Sequence, residues 1–143
     1  LIAVLDASVF VSAVLKPDSI PERAFDRALA GPDQLILSDQ VEAEYREVIF
    51  RPKFDRFRTT GRRERFLALV TTAARRIQPR SLVSDCSDPK DNKYLELALD
   101  GRAAVIVSGD LTHLLPMHPW RGISILNPTD YLALPDSALK RNQ

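Results

Sequence analysis

Two short apolar runs, each closed by an aspartate, constrain this chain more than any other feature. Leu1-Ile2-Ala3-Val4-Leu5 ends at Asp6, and Ala103 to Val107 ends at Ser108-Gly109-Asp110. Neither run alternates apolar with polar, which is the pattern of a strand buried on both faces. Helical periodicities recur around them. Val9, Phe10, Ala13 and Val14 lead to the stop at Lys16-Pro17, and Ala24, Phe25, Ala28 and Leu29 follow Pro21. Val41, Tyr45, Val48 and Ile49 form a stripe after Ser38, a good N-cap, and Arg51-Pro52 ends that helix. Arg63 to Arg76 reads as a further helix, and Asp88-Pro89-Lys90-Asp91 opens one that runs to Gly101. Gln34 to Leu37 and Ile123 to Leu126 complete the strands, and Pro128 to Leu134 is a closing helix. The stretch 53–60 is expected as a loop or broken helix, and 79–90 as a connector. Strands alternating with helices predict an α/β fold: an open, mostly parallel sheet covered on both faces. Everything between the strand at 34–37 and the one at 103–107 is expected to be helical.

At 143 residues the chain suits one domain, assigned to residues 1–134, with a loose polar tail from 135 to 143. No apolar run approaches the ~20 residues that span a bilayer, so no membrane partner is expected. The apolar start is too short for a secretory core, and residue 1 is not Met. A lone cysteine, Cys86, and two histidines exclude a Cys/His zinc site and point to a cytoplasmic protein. The formal net charge of +1 is unevenly spread. Residues 46–80 hold eleven Arg and Lys against three acids, a net +8, so the remainder must sum to −7. A basic segment on an acidic body suits a polyanion held beside an acidic site, with Arg51, Lys53, Arg62 and Arg63 as its candidate contacts. The competing use of the same helix is a dimer or partner-protein surface with Phe66, Leu67 and Val70 as its apolar part.

In open parallel sheets, sites form at the carboxyl ends of strands where the strand order reverses. Asp6 and Asp110 both follow apolar strands, so central neighbouring strands would bring them into one crevice. Each could equally cap the helix that follows it. On the helix after Ser38 the apolar stripe puts Glu42 and Glu44 on opposite flanks and turns Glu47 away, without choosing between the two. In Asp88-Pro89-Lys90-Asp91, Asp88 suits an N-cap and Asp91 the third helical position, which is good helix-start chemistry by itself. His113 and His118 are isolated and read as loop or surface residues, while Phe10, Tyr45 and Tyr94 read as core. Carboxylates with no soft ligand favour magnesium or manganese. A cation so held polarises a phosphoryl oxygen and lowers the pKa of water.

The string Leu5-Asp6-Ala7-Ser8, Val41-Glu42-Ala43-Glu44-Tyr45-Arg46-Glu47-Val48, Asp88-Pro89-Lys90-Asp91-Asn92-Lys93 and Val107-Ser108-Gly109-Asp110 resembles the PIN-domain nuclease family. It is most similar to the VapC-like branch, the toxin components of bacterial toxin–antitoxin systems, and the similarity runs from about Leu1 to Leu134. Arg51-Pro52-Lys53-Phe54 and Asn127-Pro128 fit the same branch. The resemblance implies a three-layer α/β/α sandwich, Mg²⁺ or Mn²⁺, endonucleolytic cleavage of RNA and a cognate antitoxin. It implies Asp6, Glu44, Asp91 and Asp110 as the catalytic, metal-binding acids, and so selects Glu44 over Glu42 and Asp91 over Asp88. It also implies Ser8 and Ser108 as the residues that orient Asp6 and Asp110. Two departures stand out. Family members often carry Asn in place of Ser8, and many have another acid shortly after the last aspartate, where this chain has Leu111-Thr112-His113.

The competing reading is a catalytically inert PIN-like module that binds RNA or protein, against which the retention of all four acids argues. A phosphoacceptor or haloacid-dehalogenase-type phosphatase is a weaker third reading. The latter wants a second aspartate two residues after the first, where Ser8 stands.

Overall fold

The computed structural model describes residues 1–57 and 60–135. Residues 58 and 59 of the expected loop and 136–143 of the expected tail lie outside them.

The elements are β1 (Ile2–Leu5), α1 (Ala7–Leu15), α2 (Ile20–Ala30), β2 (Gln34–Leu37), α3 (Asp39–Ile49), α4 (Thr60–Ala73), β3 (Arg75–Arg76), α5 (Asn92–Asp100), β4 (Val105–Val107), β5 (Ser124–Leu126) and α6 (Pro128–Leu132). Short 3-10 turns at Pro52–Phe54, Pro89–Asp91 and Leu115–Met117 punctuate them. The sheet order is β3-β2-β1-β4-β5, and every pairing is parallel. This is the expected α/β/α sandwich.

The topology follows from burial. Ala3, Val4 and Leu5 of β1 and all of β4 are buried, so these fully apolar strands take the centre. β1 pairs with β4 through Ala3↔Val105, Val4↔Ile106 and Leu5↔Val107, and with β2 through Ile2↔Gln34 and Ala3↔Leu35. The chain builds outward from β1 through β2 to β3, then crosses back to place β4 on the other side of β1. The order therefore reverses between β1 and β4, and Asp6 and Asp110 leave the sheet at that crevice.

The segment between β2 and β4 is not all helical, as the sequence pattern predicted. α4 ends at Ala73, and Arg75–Arg76 forms a short edge strand on β2 through Ile36↔Arg75 and Leu37↔Arg76. Both arginines are exposed, so no apolar alternation announces this strand. Phe66, Leu67 and Val70 are buried in the chain's own core, which removes the apolar face that α4 was expected to offer a partner. Phe66 instead packs 5.3 Å from Phe25 between ring centroids. Phe10 stacks on Tyr45 at 4.4 Å, and the Tyr45 hydroxyl donates to the Leu5 carbonyl at 2.5 Å, tying α3 to the end of β1.

Candidate active site at the carboxyl end of the sheet

Asp6 sits where β1 becomes α1, and it caps that helix while lining a cavity at the sheet's carboxyl end. Its Oδ1 accepts from the Val9 backbone N–H at 3.0 Å, capping α1, and from the Ser8 hydroxyl at 2.6 Å. Its Oδ2 accepts from the Ser108 hydroxyl. Burial pushes the Asp6 carboxyl above the ordinary range, and the nearby Asp110 charge adds to this. The Ser108, Ser8 and Val9 hydrogen bonds oppose the shift. No cation of the chain reaches Asp6 among the described residues.

Asp110 closes β4's connection in the same way. Its Oδ1 accepts from the backbone N–H groups of Thr112 at 3.0 Å and His113 at 3.1 Å. Both serines converge on Asp6, whereas Ser108 meets Asp110 only at its backbone, where the Asp110 N–H donates to the Ser108 hydroxyl at 2.9 Å. Gly109 lets the two turns approach. Its N–H donates to Ser8 Oγ at 3.1 Å, and a Cβ placed on it would lie 3.2 Å from that oxygen.

Asp91 ends the 3-10 turn that leads into α5, capped by Asp88 through the Lys90 N–H at 3.1 Å. Asp91 and Asp110 share a side-chain hydrogen bond. Burial, then the charges of Asp88, Asp110 and Glu44, push the Asp91 carboxyl up to about 6. For Asp110 burial acts upward, but the His113 and Thr112 N–H groups, the His113 charge and the Asp91 hydrogen bond hold its carboxyl below the ordinary range. The two carboxylates repel each other when both are ionised, and Asp91 is the one whose ionisation is disfavoured.

Glu44 comes from α3. It accepts from the Tyr94 hydroxyl and pairs with Lys93 at 2.5 Å. The Tyr94 hydroxyl in turn accepts from the Ala7 N–H at 3.0 Å, so one buried phenol joins α5, α3 and the start of α1. Glu42, the other flank of α3, is taken up at 2.6 Å by Arg76 of β3. Asp6, Ala7, Ser8, Glu44, Asp91, Tyr94 and Asp110 line one cavity of about 240 Å³. All four sequence-selected acids therefore face the same space, each from a different part of the fold.

Tyr94 and Lys93 had no functional role in the sequence reading. Helical spacing marked Tyr94 as core, which it is, but a buried tyrosine needs a partner for its hydroxyl, and that was the available signal. Lys93 gave none beyond its place at the end of the Asp88–Lys93 string.

The candidate RNA contacts do not gather on one open face. Arg51 pairs with Glu47 at 2.7 Å and Lys53 lies 5.0 Å from the Phe54 ring. Arg62 donates to the Val14 carbonyl at 2.8 Å and to Glu22 at 2.7 Å. Arg63 is only 3% exposed, and donates to the Ile49 carbonyl and to Asp55. Arg63 is an internal cation of the fold rather than part of the basic surface assigned from charge alone.

As the side chains stand, no three Asp, Glu, His or Cys residues among the described residues form a cluster able to enclose an ion. The chemistry of the set nevertheless fits a hard divalent cation. The donors are all carboxylate oxygens, and their mutual repulsion, read in the raised Asp91 carboxyl, is what a divalent cation would relieve.

The sequence pattern of the PIN domain matches residues 3–112, and the chain belongs to that family, whose members are generally nucleases. An uncharacterized protein of Methanocaldococcus jannaschii, MJ1680, is 27% identical over 113 residues, covering 75% of this chain and 69% of that protein. A crystal structure of VapBC2 from Rickettsia felis, bound to a DNA fragment from their promoter, aligns with a TM-score of 0.57 at 13% identity. That alignment covers 89% of this chain and 98% of the other, and the likeness is one of fold.

Proposed function

We propose that this chain is a metal-dependent endoribonuclease, the toxin component of a toxin–antitoxin pair acting in the cytoplasm. The observation that carries the reading is the convergence of Asp6, Glu44, Asp91 and Asp110 on one cavity at the reversal point of the sheet. Asp6, Asp91 and Asp110 would hold Mg²⁺ or Mn²⁺, with Glu44 as a further ligand or the residue that positions the attacking water. The bound ion supplies Lewis acidity towards a phosphate oxygen and towards water. Ser8 and Ser108 fix the Asp6 carboxylate, and Tyr94 with Lys93 sets the direction of Glu44. The antitoxin partner rests on the motif resemblance and on the fold shared with VapBC2. No described helix is long and apolar enough to cross a membrane.

The Lys93–Glu44 ion pair, which already neutralises one of the four acids, favours a second reading, an inert PIN-like module that binds RNA or protein. One assay separates them. Single-stranded RNA is incubated with the protein and Mg²⁺ or Mn²⁺, with and without excess EDTA. Cleavage that disappears in EDTA is expected. Undiminished cleavage in EDTA would defeat the metal assignment, and no cleavage under any condition would favour the inert module.

A further inference from the structure

Beside the acidic cavity opens a second one, an apolar groove of about 620 Å³. One wall is a single face of α1: Ser8, Val11, Ser12 and Leu15 recur at helical spacing. The other wall comes from α3 and the turn after it, through Val48, Phe54 and Phe57. Ala7 and Ser8 line both cavities, so the groove adjoins the acids. From Ser8 to Leu15 the helix rises about 10 Å, which carries the groove away from the acids along α1.

We propose that this groove is a nucleobase subsite, holding a base of the same RNA strand whose phosphate lies at the four acids. The proposal rests on the nuclease reading for the phosphate's position. Three features select a base as the occupant. The aromatic residues sit within the string Lys53-Phe54-Asp55-Arg56-Phe57, where cations and rings alternate. Proteins that hold single strands combine cations that follow the backbone with aromatic rings on which bases stack. Here Lys53 Nζ lies 5.0 Å from the Phe54 centroid and the Arg56 guanidinium 4.6 Å from that of Phe57. The one acid of the string, Asp55, is drawn towards Arg63 at 2.9 Å, while Lys16 lines the groove and Lys53 and Arg56 lie against its two rings, cations complementary to phosphates. Finally, Ser12 puts a hydroxyl with no hydrogen bond among the described residues between Val11 and Leu15 in the α1 wall, a polar point for a base edge.

Phe57 is 44% exposed, so its replacement tests the groove without opening the core. A short single-stranded RNA would be titrated in EDTA, where it is bound but not cut. A parallel set of strands would carry an abasic ribose at one position each. One abasic position is expected to weaken binding roughly 5- to 150-fold, the span of a base-on-ring stack. Phe57→Ala should weaken the intact strand by a similar factor and leave the sensitive abasic strand nearly unaffected, while Phe57→Trp restores affinity. Equal affinity of intact and abasic strands for the wild type would overturn the subsite. So would unchanged RNA affinity of Phe57→Ala accompanied by a change of oligomeric state in light scattering, which would give the groove to a protein contact. The nuclease reading is judged separately, by Mg²⁺-dependent cleavage. A protein that cuts RNA but ignores abasic positions keeps its function and loses the subsite. One that senses abasic positions but never cuts keeps the subsite as part of a binding module.

Discussion

The molecule buries two carboxylate centres at opposite ends of its sheet, and they are satisfied in opposite ways. Asp33, just before β2, accepts from Arg27 at 2.9 Å, from the Leu1 nitrogen at 2.9 Å and from the Tyr131 hydroxyl at 2.7 Å. Burial pushes its carboxyl up, but these hydrogen bonds and the adjacent Arg27 charge hold it below the ordinary range. Arg27 also donates to the Tyr131 and Leu134 carbonyls, so one ion pair docks the C-terminal helix onto α2. Asp6, at the other end of the sheet, is held only by hydroxyls and a backbone N–H, and its carboxyl is raised. A buried acid that the chain neutralises with its own cation is a structural joint. A buried acid set among other acids is, in the function proposed above, the place for a cation from outside. Lys93 is the partial exception, since it neutralises Glu44 at the rim and not Asp6 at the centre.

Exchanging function for stability at the two ends gives the largest contrast. Asp6→Asn and Asp110→Asn are each expected to reduce RNA cleavage to background while the thermal midpoint holds or rises, because clustered like charge is relieved. Arg27→Met should do the reverse. Breaking a buried pair leaves Asp33 uncompensated and costs about 3–5 kcal/mol, with cleavage per folded molecule unchanged. Circular dichroism melts beside a cleavage assay measure both. A stable but inactive Arg27→Met would dissolve the distinction.

Within the acidic end, Glu44→Gln should be severe and Glu42→Gln mild, since only Glu44 reaches the cavity while Glu42 serves Arg76. Equal turnover by both variants would show that α3 was assigned the wrong flank.

These two glutamates mark how far the sequence alone could go. Periodicity reduced the acids of α3 to two, and choosing between them took the motif resemblance. The geometric reason for the choice, Arg76, lies on a strand of two exposed arginines that no pattern of apolar residues could reveal. The central strands were legible because burial on both faces leaves no polar position. Asp6 and Asp110 were legible because they end such strands. Tyr94 was hidden by doing two things at once, filling the core with its ring and holding Glu44 with its hydroxyl. Arg63 was misplaced because a charge count cannot distinguish a guanidinium inside the fold from one outside. The groove was invisible because its two walls come from segments some forty residues apart.

The two ends should also answer pH with opposite signs in metal-free protein. Asp33 is lowered from its ordinary 3.8, so its contribution is present above that value and is lost as pH falls through its folded pKa. Asp91 is raised to about 6, so the folded state binds the extra proton and stability falls as pH rises between about 4 and 6. Denaturation midpoints in EDTA at pH 4.5 and 7, for wild type and Asp91→Asn, isolate the second effect. The variant should gain stability relative to wild type at pH 7 and little at pH 4.5, and an identical difference at both would remove the acidic cluster as its source.

The smallest expected effect falls at Gly109, and it tests whether the Asp6 end depends on fine positioning. A methyl there would lie 3.2 Å from Ser8 Oγ and 3.9 Å from Ser8 Cβ, with no other heavy atom within 4 Å. The serine must therefore yield by a few tenths of an ångström, and its hydroxyl is the donor to Asp6 at 2.6 Å. Stability should barely change, because replacing glycine by alanine also restricts the unfolded chain, a gain of about 0.4–1 kcal/mol that offsets the contact. Cleavage should fall a few-fold. The cause can be checked in Ser8→Ala, which removes the oxygen that the methyl meets. If Gly109→Ala acts by moving that hydroxyl, adding it to Ser8→Ala should cost nothing further, since the remaining Cβ contact at 3.9 Å is ordinary packing. Additive losses in the double variant would mean that Gly109 matters through its backbone, and that the hydroxyls around Asp6 need not be held so closely.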